Sequence, residues 1–255
     1  MRVPVPLMQT VLGALFLGLW QAASSLGWID PDLLPPLSTV LAAAGKMLAD
    51  PSFLANAGDT LLRVAAAFLI GAPLAISFGL FAGERVRLQR VISPLFNFVM
   101  AVPQSIFLPI FIFLFGIGFP QKVIYGITHV IFVVTVTAMA AVRQVPRSYT
   151  LAARSFGWSP AEIYRKIYLP AMAPVIVTGL RLGLIFDIIG VLLAEMYASK
   201  SGLGVLIFRW GEAYDTRRTM AVILVVSCAT ILVNESMRFW EARVGSWRRE
   251  MDRNG

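Results

Sequence analysis

The chain is poor in almost everything that carries chemistry. Among 255 residues it has one cysteine, Cys228, and one histidine, His129. A single thiol excludes an intrachain disulfide and any cysteine-based zinc site. Lying in an apolar run, Cys228 is expected to be a small buried apolar side chain. Few acids lie in the apolar runs, so there is no metal-ligand cluster and no nucleophile–base pair to propose, and no enzyme is expected. Charged residues make up only 14% of the chain, against about 25% in soluble domains. Lys46, Lys122, Lys166 and Lys200 are the only lysines, so arginine supplies most of the positive charge behind a net of +8. The only Gly-Lys pair, Gly45-Lys46, is followed by Met47, where a phosphate-cradling loop needs serine or threonine. The basic residues cluster mostly beside apolar runs, which points to membrane orientation and away from nucleic acid.

What is abundant is apolar surface: 58% of residues are hydrophobic and the mean hydropathy is +0.75. One globule cannot hide that much, so lipid is the expected solvent. Six apolar segments stand out, at 7–29, 60–82, 91–115, 122–142, 171–197 and 219–237. Each is near the roughly 20 residues that cross a hydrocarbon core as a helix. These runs are long and continuous, unlike the short alternating strands of a barrel, and helices pair their own backbone groups. The fold class is therefore all-α: a polytopic membrane protein of about six spans. Pro94, Pro103 and Pro109 in the third segment should kink or break it. The N-terminal stretch 1–29 is read as a retained helix; a cleaved signal peptide is the alternative.

The loops set orientation. The 83–90 loop nets +2 and the 143–170 loop nets +4, while 30–59 nets −3. The first two are expected to be cytoplasmic and the third external, with both termini inside. The 198–218 loop disagrees: it nets +2 on the outer side, and Arg217 and Arg218 are left without a reason. The expected organisation is an N-terminal helix (1–29), an external segment (30–59), a core (60–237) and a cytoplasmic tail (238–255). In the external segment Ser38 is expected to cap a short amphipathic helix to Leu48, with Val40, Leu41, Ala44 and Leu48 on one side. Such a helix would lie along the outer membrane surface. Arg63, near the outer end of the second span, is expected to snorkel.

Residues 143–170 form a polar island between two apolar runs. A helix is expected over 147–156, with Ala152 and Ala153 as close-packing positions. Gly157 would end it in the left-handed conformation. Ser159-Pro160-Ala161-Glu162 reads as a capping box: serine caps, proline takes the first helical position, and glutamate reaches back. The second helix is expected to run to about Tyr168, with Ile163 and Ile167 on one face and Arg165 and Lys166 elsewhere. Pro170 would close the elbow before the fifth span.

Ala152-Ala153, Gly157, Ile167 and Leu169-Pro170 keep the spacing of a known signature. The elbow resembles the cytoplasmic motif of permease subunits of bacterial ATP-binding-cassette importers. LLPPLSTV at 33–40, LPIFIFLFGIGFPQKV at 108–123 and TGLRLGLIFDIIGVLLAEMYASKSGLG at 178–204 resemble the nitrate, sulfonate and taurine branch. The resemblance implies a type I importer fold in the bacterial inner membrane. It also implies two permease copies, two ATPase chains that hold the ATP and magnesium, and a periplasmic or lipid-anchored solute-binding protein. No cofactor is implied on this chain. A coupling helix at 158–167 would dock on the ATPase, with Trp158, Ser159, Glu162 and Arg165 joining the signature residues. Relatives usually begin the motif with glutamate, where this chain has Leu151. They more often carry a small, polar or basic residue at Asp187.

Mid-span polar residues are the pathway candidates. They are Asp187, Gln104 and Ser105 beside Pro103, and Asn97; His129 is expected to be satisfied by a neighbour. Glu195, Gly202 and Gly204, near the outer end, are candidates for an external gate or docking rim. Two other classes stay open: an ion-coupled secondary transporter using Asp187, and a membrane scaffold that moves no solute.

Overall fold

The computed structural model describes residues 4–244. Each expected apolar segment lies on a helix or a bent helix pair, except that the first ends at Ser25, short of the expected 29. Among the described residues five helices are long and apolar enough to span a bilayer, and a sixth span exists if one bent pair counts as one.

The core is a trio. Helix α3 (Pro51–Gly83), α6 (Phe119–Arg143) and α9 (Leu169–Ala198) carry most of the buried residues. Asp50 starts α3 by accepting from Ser52 N at 2.8 Å, with Pro51 at the first helical position. In lipid the hydrophobic effect does not drive helices together, so close backbone approach does much of the work. Small residues supply it here. A side chain on Gly79 of α3 would sit 2.6 Å from Ala138 Cβ of α6, and one on Gly183 of α9 would strike Val134. Val130 and Val134, buried between the two faces, fill the space that these residues leave.

Helix α4 (Val86–Ala101) is followed by a 3₁₀ turn (Gln104–Phe107) and α5 (Leu108–Phe115). The chain bends by 85° at that break. Of the three prolines, Pro103 makes it: Val102 and Pro103 are extended, while Pro94 stays inside α4 and Pro109 sits in the first turn of α5.

An outer layer joins α2 (Leu37–Leu48), α10 (Leu203–Glu212) and α11 (Thr216–Val244) through Val40, Met47, Phe53, Leu203 and Val222. Two expectations about α2 are corrected. Its buried face is Val40, Ala44 and Met47, while Leu41 and Leu48 are about half exposed, because the helix packs on protein and not only on lipid. Ser38 does not cap it. Pro36 occupies the cap position with no side-chain bond, and Ser38 instead meets Gln21 of α1 (Val5–Ser25). Helix α1 is otherwise almost wholly exposed. Cys228 is also corrected: it is exposed on α11, since an apolar run in lipid need not face protein. Helix α11 continues past the boundary expected at 237, and the end of the tail, 245–255, lies outside the described residues.

Candidate functional site

The elbow is locked by its own atoms. Helix α7 (Arg147–Ser155) ends with Gly157 N donating to Arg154 O at 2.9 Å and Trp158 N donating to Ala153 O at 3.0 Å. That pair of bonds is a Schellman closure, and it holds Gly157 at φ +78°. The capping box follows: Glu162 N donates to Ser159 Oγ at 3.3 Å, and Ser159 N donates to Glu162 Oε2 at 3.1 Å. Lys166 then pairs with Glu162 at 3.2 Å and lies over the Trp158 ring.

Ala153 is buried, and Ile163 and Ile167 turn toward the core, Ile167 beside Ala141, Val145 and Met172. Ala152 is exposed, so only one of the two alanines is a packing position. The outward side carries Tyr149, Leu151, Phe156 and Trp158, with Phe156 82% exposed. Phe156 escaped the sequence reading. The signal was its place beside Gly157: a left-handed glycine reverses the chain and leaves its neighbours on the outside of the turn.

The elbow does not close at Pro170. Helix α8 (Pro160–Ile163) passes through a π-helical turn (Tyr164–Tyr168) directly into α9. Pro170 falls in the first turn of α9, where its missing N–H costs little. Residues 160–198 are thus one continuous helix.

At the end of α9 opposite the elbow the structure assembles a buried clamp. Glu195 is fully buried, and Arg63, expected to snorkel, is only 7% exposed. Arg63 Nη1 donates to Glu195 Oε1 at 2.6 Å and to Ser201 O at 2.7 Å. Glu195 also accepts from Thr60 Oγ1 at 2.9 Å and from Gly204 N at 3.0 Å. Gly202 N donates to Asn56 Oδ1 at 2.7 Å, and Leu203 N donates to Thr60 Oγ1 at 2.8 Å. Arg63 does not snorkel because the Glu195 carboxylate and the Ser201 carbonyl hold its guanidinium inside the protein. A side chain on Gly202 would overlap the Glu195 carboxylate, and its φ of +118° bars most residues besides. Lys122 braces the same end, donating to Ala198 O and to Gly118 O.

The mid-span residues do not converge. Asp187 is fully buried with its carboxyl in the space that Gly126 of α6 leaves open, and neither carboxyl oxygen has a hydrogen-bond partner among the described residues. Arg181, one turn and a half away, pairs instead with Glu241 at 3.0 Å and Asn234 at 3.2 Å. His129 is buried, with Nδ1 3.0 Å from Tyr125 O and its ring against Tyr125 and Gly190. Asn97 and Ser105 are exposed and Gln104 half-buried, all on the bent α4–α5 unit. No group of three or more metal-ligating side chains occurs among the described residues.

Residues 71–249 match the family described as binding-protein-dependent transport system inner membrane component. The chain is 30% identical to the taurine transport system permease protein TauC of Escherichia coli (strain K12), over 93% of this chain and 88% of that protein. It is 26% identical to the putative aliphatic sulfonates transport permease protein SsuC of Bacillus subtilis (strain 168), over 93% and 86%. In fold it is similar to a chain of the inward-facing MetNI methionine ABC transporter. The TM-score is 0.59 at 18% identity, covering 82% of this chain and 97% of that one.

Proposed function

The chain belongs to the binding-protein-dependent transport system inner membrane components, and from that membership we propose how it is driven and what it carries. It is a transmembrane permease of an ATP-binding-cassette importer, and the secondary-transporter and scaffold alternatives fall with that assignment. Power comes from a separate ATPase pair that holds ATP and magnesium, each ATPase seating one elbow of a permease homodimer. A solute-binding protein delivers cargo from the outside, and both termini of the permease face the cytoplasm.

The observation that carries this reading is the elbow. A knuckle fixed by its own Schellman closure and capping box thrusts Phe156 and Trp158 outward. Exposed aromatic side chains on a rigid turn suit the centre of a protein interface. Leu151 fits the same surface, extending an apolar contact where relatives usually place an acid.

The cargo is a small anion of the sulfonate, nitrate or bicarbonate type. Relatives named for sulfonate, taurine, nitrate and bicarbonate transport support this. The polar groups of the bent unit, exposed Asn97 and Ser105 and half-buried Gln104, are neutral hydrogen-bonding groups that such a solute can meet. Asp187 is withdrawn into the helix core and sets no negative charge against it.

Reconstitution with the partner ATPase and binding protein tests the reading. Uptake of a sulfonate should require ATP and ignore the imposed ion gradients. Phe156→Ala combined with Trp158→Ala should weaken ATPase retention by roughly a thousandfold, each buried aromatic contributing about 2 kcal/mol. Unchanged retention and transport in the double variant would refute the elbow as the docking element.

A further inference from the structure

Arg217 and Arg218 have no place in the transport reading, yet the structure gives them company. With Lys46 they line an external cavity of about 580 Å³ between α2, α3, α10 and α11, together with Thr39, Asn56, Trp210 and one acid, Asp50. The Asp50 carboxylate is engaged by Ser52 N at 2.8 Å, so three cations face one carboxylate. Arg218 is held by Asp215 at 3.3 Å, but Arg217 and Lys46 have no ion pair among the described residues. The cost of this arrangement is visible twice. Cations in the first turn of α11 oppose the helix dipole, and Asp215 just before it, which accepts from Arg218 N at 3.0 Å, offsets only one of them. On the proposed orientation they also oppose the usual charge bias of outer loops.

Phe53 lines this basic notch and also lines a second cavity below it. The second is a groove of about 490 Å³ whose lining is almost wholly apolar. It runs between α3 and α11 over α9, past Leu54, Leu61 and Leu69 on one side and Val226 and Val233 on the other, with Ile188 at its floor. From Leu54 to Leu69 is about 22 Å of helix, enough to shelter an acyl chain through one leaflet of a hydrocarbon core of about 30 Å.

We propose that the notch and groove together form a binding site for one anionic phospholipid, its phosphate among Lys46, Arg217 and Arg218 and an acyl chain between α3 and α11. Neither half asks for this ligand alone. A basic notch also suits a free anion or an acidic protein surface, and an apolar groove suits any lipid or a second copy of the chain. Only a molecule with an anionic head and a long apolar tail satisfies both across Phe53. The assignment to the outer leaflet rests on the orientation proposed above; the site itself does not.

The test is native mass spectrometry of the intact importer released from nanodiscs of equal phosphatidylglycerol and phosphatidylcholine. Phosphatidylglycerol should be retained about tenfold or more over phosphatidylcholine, as expected for clustered cations near a headgroup. Lys46→Gln with Arg217→Gln should abolish the preference. Ala229→Trp, which plugs the groove from an exposed position, should lower retention of both lipids with the notch intact. Glycerol phosphate in solution should not displace the lipid. Equal retention of the two lipids, or indifference to either variant, overturns the proposal. Displacement by glycerol phosphate would reduce the site to a headgroup or free-anion notch. A Leu61→Cys variant that crosslinks to the second copy would give the groove to the dimer. Unchanged lipid retention in the notch variant, with loss of binding-protein-stimulated ATP hydrolysis, would give the notch to that protein.

Discussion

Glu195 and Arg63 show how much a single pair of residues can decide in lipid. Both are buried and charged, and they meet at 2.6 Å. Removing one partner strands the other, which costs about 3–5 kcal/mol for a buried pair. Glu195→Ala should therefore lower unfolding stability in detergent by about that much. Arg63→Met with Glu195→Leu should recover part of it, a coupling that a double-mutant cycle reads directly. The two residues were visible in the chain as ions at the edges of apolar runs, but their meeting was not. They lie 132 positions apart, and no local pattern reports a contact of that range. Cys228 fails for a related reason: hydropathy marks what avoids water, and in a bilayer that includes side chains facing lipid as well as those facing protein.

The elbow was legible almost atom by atom, because its bonds span only a few residues. Ser159, Glu162 and Gly157 specify their own geometry wherever the chain places them. The open space around Gly157 isolates one variable. A side chain there meets no neighbouring atom within 4 Å, so any penalty comes from φ +78° alone. Gly157→Val should cost about 1–2 kcal/mol in that conformation and shift the elbow, with ATP-driven uptake falling while membrane insertion persists. Gly157→Asn, which tolerates the left-handed region, should keep most of the transport. Equal activity in the two variants would show that the turn does not govern coupling. The joint beyond it was not legible. A proline after a polar stretch reads as a stop, but a π turn just before Pro170 lets the helix run on.

At the scale of the whole molecule, the span count and the break at Pro103 were readable from apolar run length and proline position. The packing of α3, α6 and α9 was not, since it depends on which small residues face one another. The orientation proposed from loop charge has a direct check. In a Cys228→Ala background, Asp32→Cys should react with an impermeant maleimide from outside, and Arg87→Cys only after permeabilisation. The reverse pattern would invert the topology.

The unbroken helix of residues 160–198 joins the two ends of the machine. It is about 58 Å long, and the residue near its C-terminal end, Glu195, is anchored to α3 by charge. Seized at the elbow as proposed above, a helix fastened at its other end has little freedom except to pivot. On that proposal the anchor is the fulcrum, and the elbow half of the helix sweeps through an arc while the tip at Glu195 scarcely travels.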